Sequence, residues 1–105
     1  MAKSKCIFCK IVNGELDTKF VHKDEDIFVF SDINPKAPVH LLVVPREHVK
    51  TFLDIKNKHF PLLTKMIKVV QRLVKEKKLQ TGYRVFINGG RYQEVDHLHF
   101  HLLGD

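Results

Sequence analysis

This chain of 105 residues lacks the features of a membrane protein or a repeat protein. No stretch approaches the roughly 18 consecutive apolar residues that a transmembrane helix requires, and no signal-peptide core follows the basic start Met1–Lys5. Internal repeats, low-complexity segments and linkers are also absent. With 44% hydrophobic and 29% charged residues, the sequence predicts one globular domain over residues 1–105, cytoplasmic and without a membrane partner.

Cysteine is scarce, with Cys6 and Cys9 as its only two examples. A structural disulfide is not expected in a reducing compartment, so the Cys-x-x-Cys spacing leaves a metal half-site, a redox pair or two buried thiols. A redox pair of the thioredoxin type should follow a strand in a βαβ unit. This pair instead opens the chain, and we therefore favour a metal half-site.

The formal net charge of +6 favours anionic partners such as nucleotides. Many of the basic residues fall on one predicted helix, where they form a solvated face. No aromatic residues of the kind that stack bases alternate with them. We therefore do not expect nucleic acid as a partner. The basic residues of this helix are Lys65, Lys68, Arg72, Lys75, Lys77 and Lys78.

Hydrophobic periodicity predicts an α+β fold with a mostly antiparallel sheet of about five strands, one long helix and a short N-terminal helix. Pro61 is compatible with the first turn of the long helix. His40 is the only polar residue in what reads as a central, apolar strand. In chain order, the predicted elements are a helix at Cys6–Asn13, strands at Lys19–Lys23, Ile27–Ser31 and Val39–Val44, a helix capped by Asn57, and strands at Gly82–Asn88 and Val95–Leu103.

The long helix carries a wider apolar stripe than one sheet face requires. At about 100° per residue, its apolar residues cover an arc of about 160°, whereas a stripe of roughly 100° suffices to cover a sheet. The excess predicts a second apolar contact, which we expect to be another copy of the chain. The residues of this stripe are Leu62, Leu63, Met66, Ile67, Val69, Val70, Leu73 and Val74.

The segment His97-Leu98-His99-Phe100-His101 is the strongest functional signal in the chain. Side chains alternate between the two faces of a strand, so this pattern predicts three imidazoles in a row on one face and apolar residues on the other. Imidazole is suited to proton transfer, metal binding and nucleophilic attack. His99 could attack phosphorus and form a phosphoramidate, while His101 neutralises a phosphate oxygen or moves a proton. His40 interrupts an apolar strand and is a fourth candidate.

Several motifs in the same order resemble the histidine-triad (HIT) superfamily, whose signature is HφHφHφφ with φ apolar. The sequence is most similar to the Hint-like branch of nucleoside phosphoramidases. The resemblance runs nearly from end to end, through the segments 7–12, 30–48, 82–88 and 97–103. It implies a HIT-like fold, a homodimer, and a hydrolase or nucleotidyl transferase that forms a covalent nucleotidyl-histidine intermediate on purine nucleoside phosphoramidates.

The resemblance also implies a role for individual residues. His99 would be the nucleophile, with His101 and His40 on the phosphate oxygens, and no catalytic metal would be required. Asp32 would accept hydrogen bonds from the ribose hydroxyls. Asn88, Gln93 and Glu94 would lie near the phosphate or the leaving group. The base pocket would be lined by Phe8, Ile11, Leu16, Phe30 and Ile33.

A structural zinc ion is a further implication of the resemblance. Some bacterial HIT proteins and the related galactose-1-phosphate uridylyltransferases combine an N-terminal Cys-x-x-Cys with two histidines. The matching residues here are Cys6, Cys9, His48 and His97, which would complete a tetrahedral set of two thiolates and two imidazoles.

Glu94 departs from the Hint-like pattern, which has serine or threonine at this position. Its carboxylate would repel a phosphate unless it is protonated, turned away or paired, and Arg91 is a candidate partner. Glu94 could also serve as a general acid to the leaving group. The given sequence ends at Gly104–Asp105, whereas longer relatives continue with a segment that shapes leaving-group specificity. We therefore also expect the leaving-group specificity to differ from theirs. The alternatives to the enzyme are a nucleotide-binding protein with weak catalysis and a zinc-stabilised interaction protein.

Overall fold

The computed structural model describes residues 6–105; the stretch 1–5, for which we predict no signal peptide, lies outside the described residues. The α+β prediction is confirmed. Five strands form one antiparallel sheet in the order β1-β2-β3-β5-β4. The elements are α1 at Ile7–Val12, β1 at Phe20–Lys23, β2 at Ile27–Ser31, β3 at Val39–Pro45, α2 at Phe60–Glu76, β4 at Tyr83–Phe86 and β5 at Phe100–Gly104.

The two faces of the sheet pack against different helices. One face, with Ile27, Val29 and Val43, packs against the buried stripe of α2. The opposite face packs Phe28 and Phe30 against α1. Because side chains alternate along a strand, His40 on β3 and His101 on β5 point to the α1 side. Since β3 pairs with both β2 and β5, His40 lies on a central strand as predicted.

The long helix begins three residues later than predicted. Asn57–His59 forms a 3-10 turn, and α2 starts at Phe60 with Pro61 in its first turn. The side chain of His59 accounts for this boundary, because its Nδ1 accepts a hydrogen bond from the Lys56 backbone amide at 2.9 Å. The predicted cap, Asn57, therefore lies inside the preceding turn.

The last strand is shorter than the predicted strand Val95–Leu103. Its ladder with β3 begins at the pair Val43–Phe100, and before that point the Leu98 amide donates to the carbonyl of Val49 at 2.6 Å. His97 therefore lies in a bend outside the sheet, and the predicted row of three histidines on one strand is wrong. None of the helices in the segment 6–105 is both long and apolar enough to cross a bilayer.

Candidate active site

A cavity of about 640 Å³ opens on the α1 side of the sheet, beside β3 and β5. Its lining combines apolar side chains from α1 and β2 with polar groups from the strand ends and loops. It contains most of the residues to which we assigned catalysis or nucleotide contact. Those residues are Phe8, Ile11, Phe30, Asp32, Ile33, Asn88, Glu94, His99 and His101.

Two of the predicted nucleotide contacts lie outside this lining. Leu16 is exposed in the loop after α1 and does not face the cavity. The Gln93 amide donates to the carbonyl oxygens of Lys50 at 2.8 Å and Val95 at 2.9 Å. Gln93 thus joins two loops in this structure, and neither Leu16 nor Gln93 lines the cavity.

Several lining residues had no place in the sequence prediction. Ser31 and Asn34 flank Asp32, and Asp17 to Lys19 enter the cavity from the loop before β1. For Ser31 and Asn34, closeness in sequence to Asp32 is a feature that could have indicated a place in the site. The segment 17–19 carries no motif, and only the pairing of β1 with β2 brings it to the site.

The ring of His99 is held in one tautomer by the backbone. Its Nδ1 lies 2.7 Å from the carbonyl oxygen of His97, and since a carbonyl only accepts, Nδ1 carries the proton. The lone pair is therefore on Nε2, in a ring that lines the cavity. Phe8 packs edge-on against this ring with centroids 5.0 Å apart. The arrangement presents a neutral nucleophilic nitrogen with its orientation fixed.

His40 and His101 form a hydrogen-bonded pair whose protons can also be assigned. The Lys36 amide donates to Nδ1 of His40 at 3.1 Å, which leaves the proton of His40 on Nε2. That atom lies 3.0 Å from Nδ1 of His101 and 3.4 Å from Oδ2 of Asp32. His40 therefore donates to His101, and the proton of His101 is left on Nε2. The His101 ring stacks on Phe86 with a 4.7 Å centroid separation.

Burial lowers the pKa of both His99 and His101 and so favours their neutral forms. It lowers the pKa of His101 to about 4, and the neighbouring His99 and His40 contribute in the same direction. Burial also lowers the pKa of His99, against the hydrogen bond to His97 and the carboxylates of Asp32 and Glu94. A neutral ring retains the lone pair that nucleophilic attack requires. The free site is thus ready for a nucleophilic step at neutral pH.

Asn88 and Glu94 complete the polar end of the cavity. The Asn88 amide nitrogen lies 3.4 Å from Nε2 of His101, and an amide turned by 180° would accept the proton that this atom carries. Arg91, the candidate partner of Glu94, instead places its guanidinium over the ring of Tyr92. Within residues 6–105, Glu94 forms no hydrogen bond or ion pair.

A second polar cluster brings together the four residues that the sequence analysis names as zinc ligands. It lies next to His99 in the chain, since His97 is one of its members. One ligand atom from each of Cys6, Cys9, His48 and His97 lies within 4.8 Å of the others. Sulfur–nitrogen separations are 3.2 Å for Cys9–His48, 3.4 Å for Cys6–His97 and 3.6 Å for Cys9–His97. Tetrahedral zinc, with bonds of about 2.3 Å to sulfur and about 2.0 Å to nitrogen, requires about 3.5 Å between a sulfur and a nitrogen ligand. The donor set therefore fits this ion.

The His97 ring is oriented for the second cluster by its other nitrogen. Nε2 lies 2.8 Å from the carbonyl oxygen of Pro45 and donates to it, so the lone pair of Nδ1 faces the cysteines. Burial lowers the pKa of His97 to about 4. A ligand imidazole with its second nitrogen on a carbonyl is a common arrangement in metal sites.

The family model described as scavenger mRNA decapping enzyme C-terminal binding matches residues 5–105, almost the whole chain. The protein HitA of Neisseria gonorrhoeae is 42% identical over 101 residues, which cover 94% of each chain. The chain belongs to the histidine-triad superfamily. Its resemblance to that superfamily, carried by the motifs around His40 and His97 to His101, is confirmed.

Two further HIT relatives bear on function. The purine nucleoside phosphoramidase of Escherichia coli K12 is 37% identical over 101 residues, covering 93% of this chain and 85% of that one. A HIT family hydrolase from Legionella pneumophila superposes with a TM-score of 0.92 at 39% identity, covering 95% of this chain and 92% of its own. These similarities support a hydrolase or nucleotide-binding protein of the HIT class.

Proposed function

We propose that this HIT protein hydrolyses purine nucleoside 5′-phosphoramidates through a nucleotidyl-histidine intermediate on His99. The observation that carries the proposal is the hydrogen bond from Nδ1 of His99 to the His97 carbonyl at 2.7 Å. It leaves the Nε2 lone pair on a ring at the wall of a cavity that also holds Asp32 and His101. The similarity to the E. coli phosphoramidase supports the same substrate class.

The first step forms a bond between Nε2 of His99 and the α-phosphorus while the phosphorus–nitrogen bond to the amine breaks. The departing amine takes that electron pair and one proton from solvent water. His99 becomes positively charged in this step, and its Nδ1–H bond to the His97 carbonyl strengthens accordingly. His101 donates from Nε2 to a phosphate oxygen, where negative charge develops.

In the second step water attacks phosphorus and the bond to His99 breaks, so the imidazole recovers its lone pair and the nucleoside monophosphate leaves. The proton that water loses replaces the one that the amine took. Asp32, whose Oδ1 accepts from the Asn34 amide at 2.9 Å, retains lone pairs for the ribose hydroxyls. The apolar wall with Phe8 and Phe30 receives the base.

Removal of the nucleophile tests this proposal. Wild type should release amine from adenosine 5′-phosphoramidate and show an adenylyl adduct by intact mass spectrometry after quenching. His99→Asn should lose both while still binding AMP, with turnover reduced at least about 10³-fold. Full turnover in a folded His99→Asn would contradict the mechanism. AMP binding without turnover in wild type would favour the nucleotide-binding alternative.

We also propose that the cluster of Cys6, Cys9, His48 and His97 holds structural zinc. The fit of its atomic separations supports this, and so does the orientation of His97 by Pro45. All four ligands come from this chain and would form a closed coordination shell, as structural sites require. Bound there, zinc would join α1 to the loops around His48 and His97, and it would supply no step of the reaction.

A further inference from the structure

The cavity differs in charge from the protein as a whole. The chain carries a formal net charge of +6, yet among residues 6–105 the charged residues of the cavity lining are three carboxylates and one ammonium group. They are Asp17, Asp32, Glu94 and Lys19. A substrate with several phosphate charges would therefore enter a site whose fixed charges oppose it, whereas a substrate with a compensating positive charge would not.

Asp32 and Glu94, the two carboxylates with a predicted role, differ in their contacts. Asp32 is taken by the Asn34 amide and by His40. Glu94 has no hydrogen-bond or ion-pair partner within the part of the chain from 6 to 105, and Arg91 lies on Tyr92 instead. Glu94 lines the same cavity as His99, whose side chain is only 6% exposed and whose Nε2 has no protein partner there.

Position makes Glu94 relevant to the leaving group. In the proposed reaction, the ribose is at Asp32 and phosphorus is at Nε2 of His99, so the leaving group departs on the side of phosphorus away from that nitrogen. Two polar lining residues without a role in the proposed mechanism lie near the reacting histidines: the Asn88 amide nitrogen is 3.4 Å from Nε2 of His101, and the Glu94 carboxylate is close enough to His99 for its charge to act on that ring. A carboxylate without a partner at this end attracts a cation and repels an anion.

We infer that Glu94 is a specificity-determining residue that selects leaving groups with a positive charge, such as amines bearing a second ammonium group, and disfavours anionic ones. The inference rests on the proposed phosphoramidase reaction and names the substrates that it prefers. Because Glu94 is exposed, the selection is modest. Partly solvated ion pairs correspond to a preference of about two- to fivefold, which falls as salt screens the charge.

Three adenosine 5′-phosphoramidates of similar length test the inference: N-(5-aminopentyl), N-hexyl and N-(4-carboxybutyl). In wild type, kcat/KM should decrease in the order ammonium, neutral, carboxylate, and 0.5 M salt (about a 4 Å Debye length) should compress the differences. In Glu94→Gln the ratio of ammonium to neutral substrate should fall towards one. Asp96→Asn, an exposed neighbour outside the cavity lining, should keep the wild-type ratio.

The result separates this inference from the proposed function. Hydrolysis of all three compounds without a charge ranking, or a ranking unchanged in Glu94→Gln, would overturn the role of Glu94 and leave the phosphoramidase intact. If no compound is hydrolysed, the proposed function fails. The preference for charge can then be measured as the relative affinities of the three compounds in competition with a fluorescent adenylate. Equal affinities in that competition would overturn the inference as well.

Discussion

The backbone carbonyl of His97 accepts a hydrogen bond from Nδ1 of His99 at 2.7 Å, while the ring of His97 faces Cys6 and Cys9. One residue thus belongs to two sites, with its ring in the proposed zinc cluster and its carbonyl on the proposed nucleophile. A shift of the backbone at His97 would alter both sites at once, although none of the four residues of the cluster lines the cavity that holds His99.

Loss of one cysteine should remove the metal and weaken the fold. Cys9→Ser is expected to abolish stoichiometric zinc and to lower the melting temperature, because zinc binding free energy contributes to folding. Metal content by inductively coupled plasma mass spectrometry and melting with and without chelator measure the two effects. His22→Asn serves as the control and should retain the metal, because His22 lies on the edge strand β1 and is not part of the cluster. A wild-type protein purified without chelator and free of zinc would contradict the prediction.

Substitution of Asp32 should lower the affinity only for nucleotides that carry ribose hydroxyls. Asp32→Asn is expected to weaken AMP binding about tenfold, since hydrogen bonds to a charged group contribute about 1.5–3 kcal/mol. Asp32 also lies 3.4 Å from Nε2 of His40, so a loss of affinity alone would not identify its partner. Titration calorimetry with AMP and with 2′,3′-dideoxy-AMP separates the two effects. An equal loss for both ligands would show that Asp32 acts through His40 instead.

The buried His101 should make the fold sensitive to acid. Its pKa is lowered from the ordinary value of 6.5 to about 4 by burial and by its histidine neighbours. Between these two values the unfolded chain binds a proton that the folded chain does not. The stabilisation is complete above pH 6.5 and is lost as the pH falls towards 4, at up to about 1.4 kcal/mol per pH unit.

Urea denaturation at intervals from pH 4 to pH 8 measures this dependence. His101→Asn should reduce the slope of the unfolding free energy between pH 4 and 6.5. The remaining slope includes the contribution of His99, whose pKa burial also lowers. A slope that the substitution leaves unchanged would mean that His101 is not held neutral in the fold.

Much of the fold followed from local patterns in the sequence. The apolar run interrupted only by His40 predicted a central strand, and β3 is the middle strand of the sheet. The apolar stripe of α2 was also correct on its buried side, with Met66 and Leu73 in the core. These patterns are informative because burial of one face fixes the periodicity of a helix or strand.

The histidine segment shows where the local pattern fails. His97 and His99 alternate with Leu98 as strand residues do, and all three are buried. Whether they join the sheet depends on the partner of each backbone amide, and Leu98 bonds to Val49 instead of to β3. Gln93 illustrates the same limit, because its amide contacts the backbone of Lys50, a residue 43 positions away. Long-range backbone contacts of this kind leave no periodic signal.

The outer edge of β4 is the surface on which we expect the predicted dimer to form. Within the described residues β4 pairs only with β5, and its Tyr83 and Val85 are half exposed beside Ile67 of α2. An open, apolar strand edge is a ready partner for another strand, and we propose that β4 of a second copy pairs there. This contact would also cover the excess apolar arc of α2.

A charge in the middle of this edge should separate the two copies. Val85→Lys is expected to raise the dimer dissociation constant at least tenfold, because each desolvated charge without a partner costs several kcal/mol. Sedimentation velocity at micromolar concentration distinguishes the two masses. Leu53→Lys alters an apolar side chain that is 89% exposed and remote in sequence from β4, and should leave the dimer intact. A wild-type protein that sediments as a monomer would contradict the proposed pairing of β4 strands. It would also contradict the second apolar contact that the wide apolar stripe of α2 predicts.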